Sequence, residues 1–289
     1  MQKITILLSF LGLWLTSYLD TKYQTLFGLA LIFSFGILHG ANDLKLINQI
    51  EEIKKVKFLK ILAAYVILVL LSVVLFMKIP LLALLIFILV SAYHFGEQNW
   101  HEILKGINKK SSGFLEFSYG LLILTAIFYF NALEVADVIY KIAYITINES
   151  QFLLMMQIST LLYIISSFIV GMQKKELQIK LIEQSFYIVI LCIIFKVASL
   201  ILGFAIYFIL WHSIPSLHDQ IKFLYGSYNL ENFQKYFKSA FWYWIISLIG
   251  VFVLYFISKD MNIFDALFFS FLASITFPHF IVIVQMYKK

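Results

Sequence analysis

Apolar runs near 20 residues follow one another along this chain from end to end. That is the length at which a helix crosses the hydrocarbon core of a bilayer, and it leaves few other ways to fold. A water-soluble domain of 289 residues could not hide a chain that is 62% hydrophobic and only 13% charged. The strands of a membrane β-barrel would alternate apolar with polar at every second residue, and these runs do not. The pattern predicts an all-α, polytopic transmembrane helical bundle, with residues 1–289 forming a single integral membrane domain.

About ten spans are expected, at roughly 4–19, 24–44, 58–77, 80–97, 114–132, 151–171, 182–195, 197–213, 239–258 and 263–286. Only Lys196 separates the seventh from the eighth. The first run has a single Lys3 before it and no small-residue cleavage pattern after it, so it reads as a span rather than a signal peptide. The longest hydrophilic stretches, 97–113 and 215–238, read as loops. Cys192 is the lone cysteine and lies in an apolar run, which rules out an internal disulfide.

The formal charge is +6, and every basic residue is a lysine. In a soluble protein such an excess would suggest nucleic acid. Here no nucleic-acid partner is expected, because the alternation of spans accounts for the charge. Five lysines (Lys22, Lys78, Lys141, Lys196 and Lys259) fall on one side, and the other seventeen fall on the side of the N-terminus. The positive-inside rule then makes both termini cytoplasmic and places the chain, multi-pass, in the cell's inner (cytoplasmic) membrane, with the lipid bilayer as its first partner.

Four of the six histidines sit near the ends of even-numbered spans: His39 in HGAND, His94 in YHFGEQNW, His212 in WHSIPS and His279 in FPHF. All four spans run in the same direction. The next charged residue follows three to nine positions later, a spread of about 9 Å at ~1.5 Å per residue. A lone histidine near a span end is ordinarily an interfacial residue or a helix–helix hydrogen bond. Four at a shared depth point to one shared object, and a metal is the simplest. Imidazole suits Fe, Cu, Ni and Zn. With no cysteine beside any of the four, thiolate zinc and iron–sulfur clusters are disfavoured. His101 and His218 fall in polar loops, and His218 is close enough in sequence to swing toward the site.

Asp43, four residues after His39, and Glu97, three after His94, share a helical face with those histidines and could fix their tautomers. Asp219 reads as a loop charge. Pro215 and Pro278 lie within three residues of a histidine, where a freed backbone is tolerated beside a site. Aromatic residues crowd the same regions, among them Tyr93, Phe95, Trp100, Tyr207, Phe208, Trp211, Phe277 and Phe280. An interface belt and core filling explain most of them. Tyr93, Phe95, Tyr207, Trp211, Phe277 and Phe280 could also line a tunnel for a long conjugated hydrocarbon.

The islands HGAND, YHFGEQ, WHSIP and FPHF, in this order and on these spans, resemble the Brp/Blh family of β-carotene 15,15′-dioxygenases. The resemblance implies a non-haem Fe(2+) bound by histidines, β-carotene and O2 as substrates, cleavage at the central 15,15′ double bond and two retinal molecules as products. It carries over to His39, His94 and His212 as metal ligands, with His279 in the C-terminal island. Some members have a second histidine four residues after the WH one, where this chain has Ser216. His279 is then the natural fourth ligand, with His218 as the fallback. No residue beyond the metal ligands is needed as acid, base or nucleophile. A retinal-accepting rhodopsin is the partner such a product calls for. The alternative is an integral membrane haem-binding or other histidine–metal redox protein. A di-iron desaturase would need about eight clustered histidines, and a proton-relaying transporter would need acids deep in its spans.

Overall fold

The computed structural model describes residues 2–51, 55–258 and 264–289. Lys54 and Lys259, counted in the charge asymmetry, lie outside the described residues. The described chain is all-α. Its helices are α1 (Gln2–Thr16), α2 (Thr21–Leu31), α3 (Ile37–Gly40), α4 (Asp43–Glu51), α5 (Lys55–Lys78), α6 (Pro80–Trp100), α7 (Lys109–Phe130), α8 (Ala132–Ala143), α9 (Glu149–Gln173), α10 (Leu177–Val197), α11 (Leu200–Ile206), α12 (Ile214–Tyr225), α13 (Leu230–Ser258) and α14 (Phe264–Tyr287). Two π-helical stretches, Ile32–Gly36 and Tyr207–Ser213, join α2 to α3 and α11 to α12.

Among the described residues, nine helices are long and apolar enough to cross a membrane, and a shorter apolar helix covers Lys3–Thr16. These correspond one for one to the ten expected spans. Large apolar side chains such as Met77, Phe168 and Trp242 stand exposed along them. The seventh and eighth spans are separate helices. The chain turns extended at Ala198 and Ser199, and the opening N–H groups of α11 find partners elsewhere. Gln24 accepts from the Ser199 N–H at 2.8 Å, and the Glu134 carboxylate accepts from that of Leu200 at 3.2 Å. A carboxylate there also complements the helix dipole.

The stretch 215–238 is not a loop. α12 continues for three turns past the apolar segment, with Ser216, Leu217, Gln220 and Ile221 forming a buried stripe at helical spacing. His218 and Asp219 ride on the other side of that helix. Pro215 sits in its first turn, where a missing N–H costs nothing. Gly226, at φ 82°, closes it in the left-handed conformation that glycine adopts freely. Asn229 then accepts from the Asn232 N–H at 2.8 Å and starts α13.

The chain divides into two compact units. The first comprises Met1–Leu31, Ile88–Asp137 and Ile145–His212, and the second Ile32–Phe87, Val138–Tyr144 and Ser213–Lys289. In the first, α7 packs along α9. Buried hydroxyls join that pair, Ser118 to Ser166 at 2.7 Å and Thr125 to Ser159 at 2.6 Å, each worth about 0.6 kcal/mol between membrane helices. α6 and α7 approach closely through glycines: a Cβ on Gly96 would collide with the Glu116 backbone, and one on Gly120 with that of Ala92. In the second unit, α14 packs on α5. Leu46, Ile47, Ile50, Val282, Ile283 and Met286 form a core from α4 and α14, and Leu38, Leu217, Ile221, Tyr236 and Ala240 form another from α3, α12 and α13.

Candidate functional site

The four histidines fall into two pairs, one inside each unit, and all are at most 6% exposed. In the first unit, His94 on α6 meets His212 edge-on, with ring centroids 4.7 Å apart and planes at 77°. His212 lies in the π-helical stretch after α11. Phe204, Phe208 and His212, four residues apart in turn, stack in a column, Phe204 on Phe208 at 5.1 Å and Phe208 on His212 at 5.5 Å. Phe95 closes a further side of His212 at 4.8 Å and touches Tyr207 at 5.4 Å. This pair is set in aromatic rings.

In the second unit, His39 and His279 also meet edge-on, 4.8 Å between centroids and 87° between planes. Polar groups hold this pair. The Nδ1–H of His39 donates to the Gly36 carbonyl at 2.5 Å, and that of His279 to Asp43 Oδ1 at 2.8 Å. A backbone carbonyl can only accept, so the nitrogen of His39 that faces Gly36 is the one that carries a proton. The Tyr65 hydroxyl donates to the other Asp43 oxygen at 2.9 Å.

Asp43 therefore serves His279, not His39 as its four-residue spacing suggested. The helix breaks between Gly40 and Asp43, with the Ala41 N–H turning back to the Leu38 carbonyl, and the i,i+4 register is lost across the break. Glu97 is buried one turn beyond His94, and its backbone carbonyl accepts from the His101 N–H at 2.8 Å. α6 ends at Trp100, so His101 opens the following turn. His218 lies on α12, with Asp219 at 3.3 Å and the Tyr228 ring at 4.8 Å.

The expected tunnel residues divide. Phe95 and Tyr207 lie with the His94–His212 pair. Trp211 instead donates its indole N–H to Ser9 at 2.9 Å and packs on Tyr187. Tyr93 hydrogen-bonds the Glu116 carboxylate. Phe277 packs against Phe76, Ala83 and Ala273, and Phe280 is partly buried on α14.

Sequence reasoning passed over Glu116, Tyr65 and Tyr236. Glu116 left a signal, because an acid inside an apolar run is costly without a purpose. Tyr65 and Tyr236 left none, since their partners lie far along the chain.

A family model described as Beta-carotene 15,15'-dioxygenase matches residues 30–287, which takes in all four histidine motifs. The chain belongs to this family. No curated protein and no solved structure matches it. The residues suit the iron that a dioxygenase of this family implies in their donor chemistry: four buried imidazoles, two of them with the tautomer set by an acceptor on Nδ1, as metal-binding histidines usually have. Among the described residues, no group of three or more His, Cys, Asp or Glu side chains is placed so that it could hold a metal ion.

Proposed function

We propose that the protein is a non-haem iron dioxygenase that adds O2 across the central 15,15′ double bond of β-carotene and releases two retinal molecules. The imidazoles of His39, His94, His212 and His279 would hold Fe(2+). The observation that carries this reading is the burial of these histidines, from four separate motifs in the family-matched region, as two edge-on pairs. When bound, the ferrous ion would supply the activation of O2 that the protein's side chains cannot.

The chain's own groups do the rest. Asp43, itself held by Tyr65, orients the His279 ring, and the Gly36 carbonyl orients His39. β-Carotene has no polar handle, so its binding comes from apolar burial, at about 25 cal/mol per Å2. Phe95, Tyr207 and Phe208 make the surroundings of the His94–His212 pair apolar and aromatic, which suits a conjugated polyene. Their closeness to that pair also keeps water from the reacting bond. The substrate partitions into lipid, which accounts for a cleaving enzyme whose described residues include nine helices apolar enough to cross a membrane. The lysine asymmetry supports the cytoplasmic membrane with both termini inside, and a rhodopsin-type protein is the acceptor a retinal product calls for.

The test is expression in cells that make β-carotene. Bleaching of the orange colour with accumulation of retinal is the expected result. Unchanged pigment, with the protein inserted and iron supplied, would refute the reading. A Soret band in the purified protein would favour the haem alternative instead.

A further inference from the structure

The helix break after His39 is gripped from one side by α13. Tyr236, fully buried on that helix, brings its hydroxyl to 3.1 Å from the His39 carbonyl oxygen and 2.7 Å from Gln220 Oε1. Gln220 in turn donates to Ser216 at 3.1 Å. The same turn of α13 holds the far edge of the break. Asn42 donates its side-chain amide to the Tyr236 carbonyl at 3.0 Å, and Ser239 donates to the Asn42 side-chain oxygen at 3.0 Å. One turn of a neighbouring helix thus fixes residues 39 and 42.

Two consequences follow from where the break lies. His39 is the next-to-last residue of the continuous helical run 21–40, in the turn where the chain leaves the helix at Ala41. Asp43 begins α4, and its direction depends on how the chain crosses Ala41 and Asn42. The break sends the Asp43 carboxylate to His279 rather than back to His39. The clamp therefore bears on both histidines of the pair through the backbone between them.

We infer that Tyr236, with Asn42 and Ser239, is a positioning device for the His39–His279 pair: it sets the backbone from which His39 projects and aims Asp43 at His279. The inference rests on the reading that these histidines bind iron. Tyr236 reaches the pair through the His39 carbonyl and, by way of Asn42, through the chain leading into Asp43.

The test compares Fe(2+) binding, and the visible spectrum of the Co(2+)-substituted protein, in wild type, Tyr236→Phe, Ser239→Ala and Ser166→Ala. Ser166→Ala is the structural control. It removes a buried interhelical hydrogen bond in the first unit, as Tyr236→Phe does in the second, and lies outside the iron-binding machinery. Tyr236→Phe should raise the dissociation constant for Fe(2+) about tenfold, the usual effect of losing an outer partner of a ligand. It should also alter the Co(2+) spectrum, and in retinal formation it should lower kcat more than it raises KM, since no substrate contact is lost. Ser239→Ala should move all three readouts the same way by less, and it serves if Tyr236→Phe does not fold. Ser166→Ala should leave the iron constant and the spectrum as in wild type. Wild-type iron affinity and spectrum in both α13 variants would overturn the inference while leaving the functional reading intact. A wild-type protein that binds neither ion would sink that reading, and this inference with it.

Discussion

The two histidine pairs have nearly the same internal geometry and opposite surroundings. His94 and His212 sit 4.7 Å apart among Phe95, Phe208 and Tyr207, whereas His39 and His279 sit 4.8 Å apart among a carboxylate, a tyrosine hydroxyl and a backbone carbonyl. Rings restrain an imidazole by shape. Acceptors on Nδ1 set the tautomer as well. On the proposed function, the second unit supplies donors oriented by acceptors on Nδ1, and the first supplies donors flanked by aromatic rings. Each unit's local structure agrees with that division. The aromatics of the first stack at four-residue spacing, and a helix break redirects the carboxylate of the second.

The comparison can be broken at several levels. The largest effect should come from alanine at any one of His39, His94, His212 or His279. Each should reduce retinal formation in carotene-producing cells to background, and full bleaching by one variant removes that histidine from the ligand set. Asp43→Ala should come next, weakening iron binding and retinal formation by about 10- to 100-fold through loss of the His279 partner. If it behaves like wild type, the polar buttress of the second pair has no consequence and the contrast between the pairs fails.

Gly96→Ala should destabilise the first unit by about 1–3 kcal/mol, as an overpacked contact does, because the added methyl meets the Glu116 backbone. Gly40→Ala in the second unit should cost far less, since a Cβ there lies 3.7 Å from His279 Nδ1, an ordinary contact. Thermal unfolding in detergent compares the two. The smallest effect is expected at Phe208→Leu, where loss of ring contacts worth about 0.5–1.5 kcal/mol should raise KM for β-carotene a few-fold and leave bound iron unchanged. Iron loss in that variant would mean that the stack on His212 serves the metal rather than the substrate.

Much of this was legible in the residues, for reasons that differ between levels. The spans were readable because a bilayer imposes one length and one composition on every crossing, and even the break at Lys196 showed in the charge alternation. The ends of the helices were not. α12 looked like a loop because its polar residues are numerous, and only the spacing of Ser216, Leu217, Gln220 and Ile221 marks it as helical. The histidine motifs stood out because imidazoles in apolar runs are rare. The pairing of His39 with His279 and of His94 with His212 depends on contacts between distant segments, and no local pattern encodes it. Asp43 shows the limit most plainly. Its residue type was right for a histidine partner, but the spacing argument assumed an unbroken helix, and the turn at Ala41 and Asn42 gave it to a different histidine.

The most direct measurement is X-ray absorption at the iron edge of the purified, Fe(2+)-loaded protein, repeated for the four histidine-to-alanine variants. The account predicts bound iron with a light-atom first shell and the multiple-scattering pattern of imidazole in the wild type, and loss of iron or of an imidazole contribution in each variant. A protein that takes up no iron, or a spectrum indifferent to all four substitutions, would contradict it.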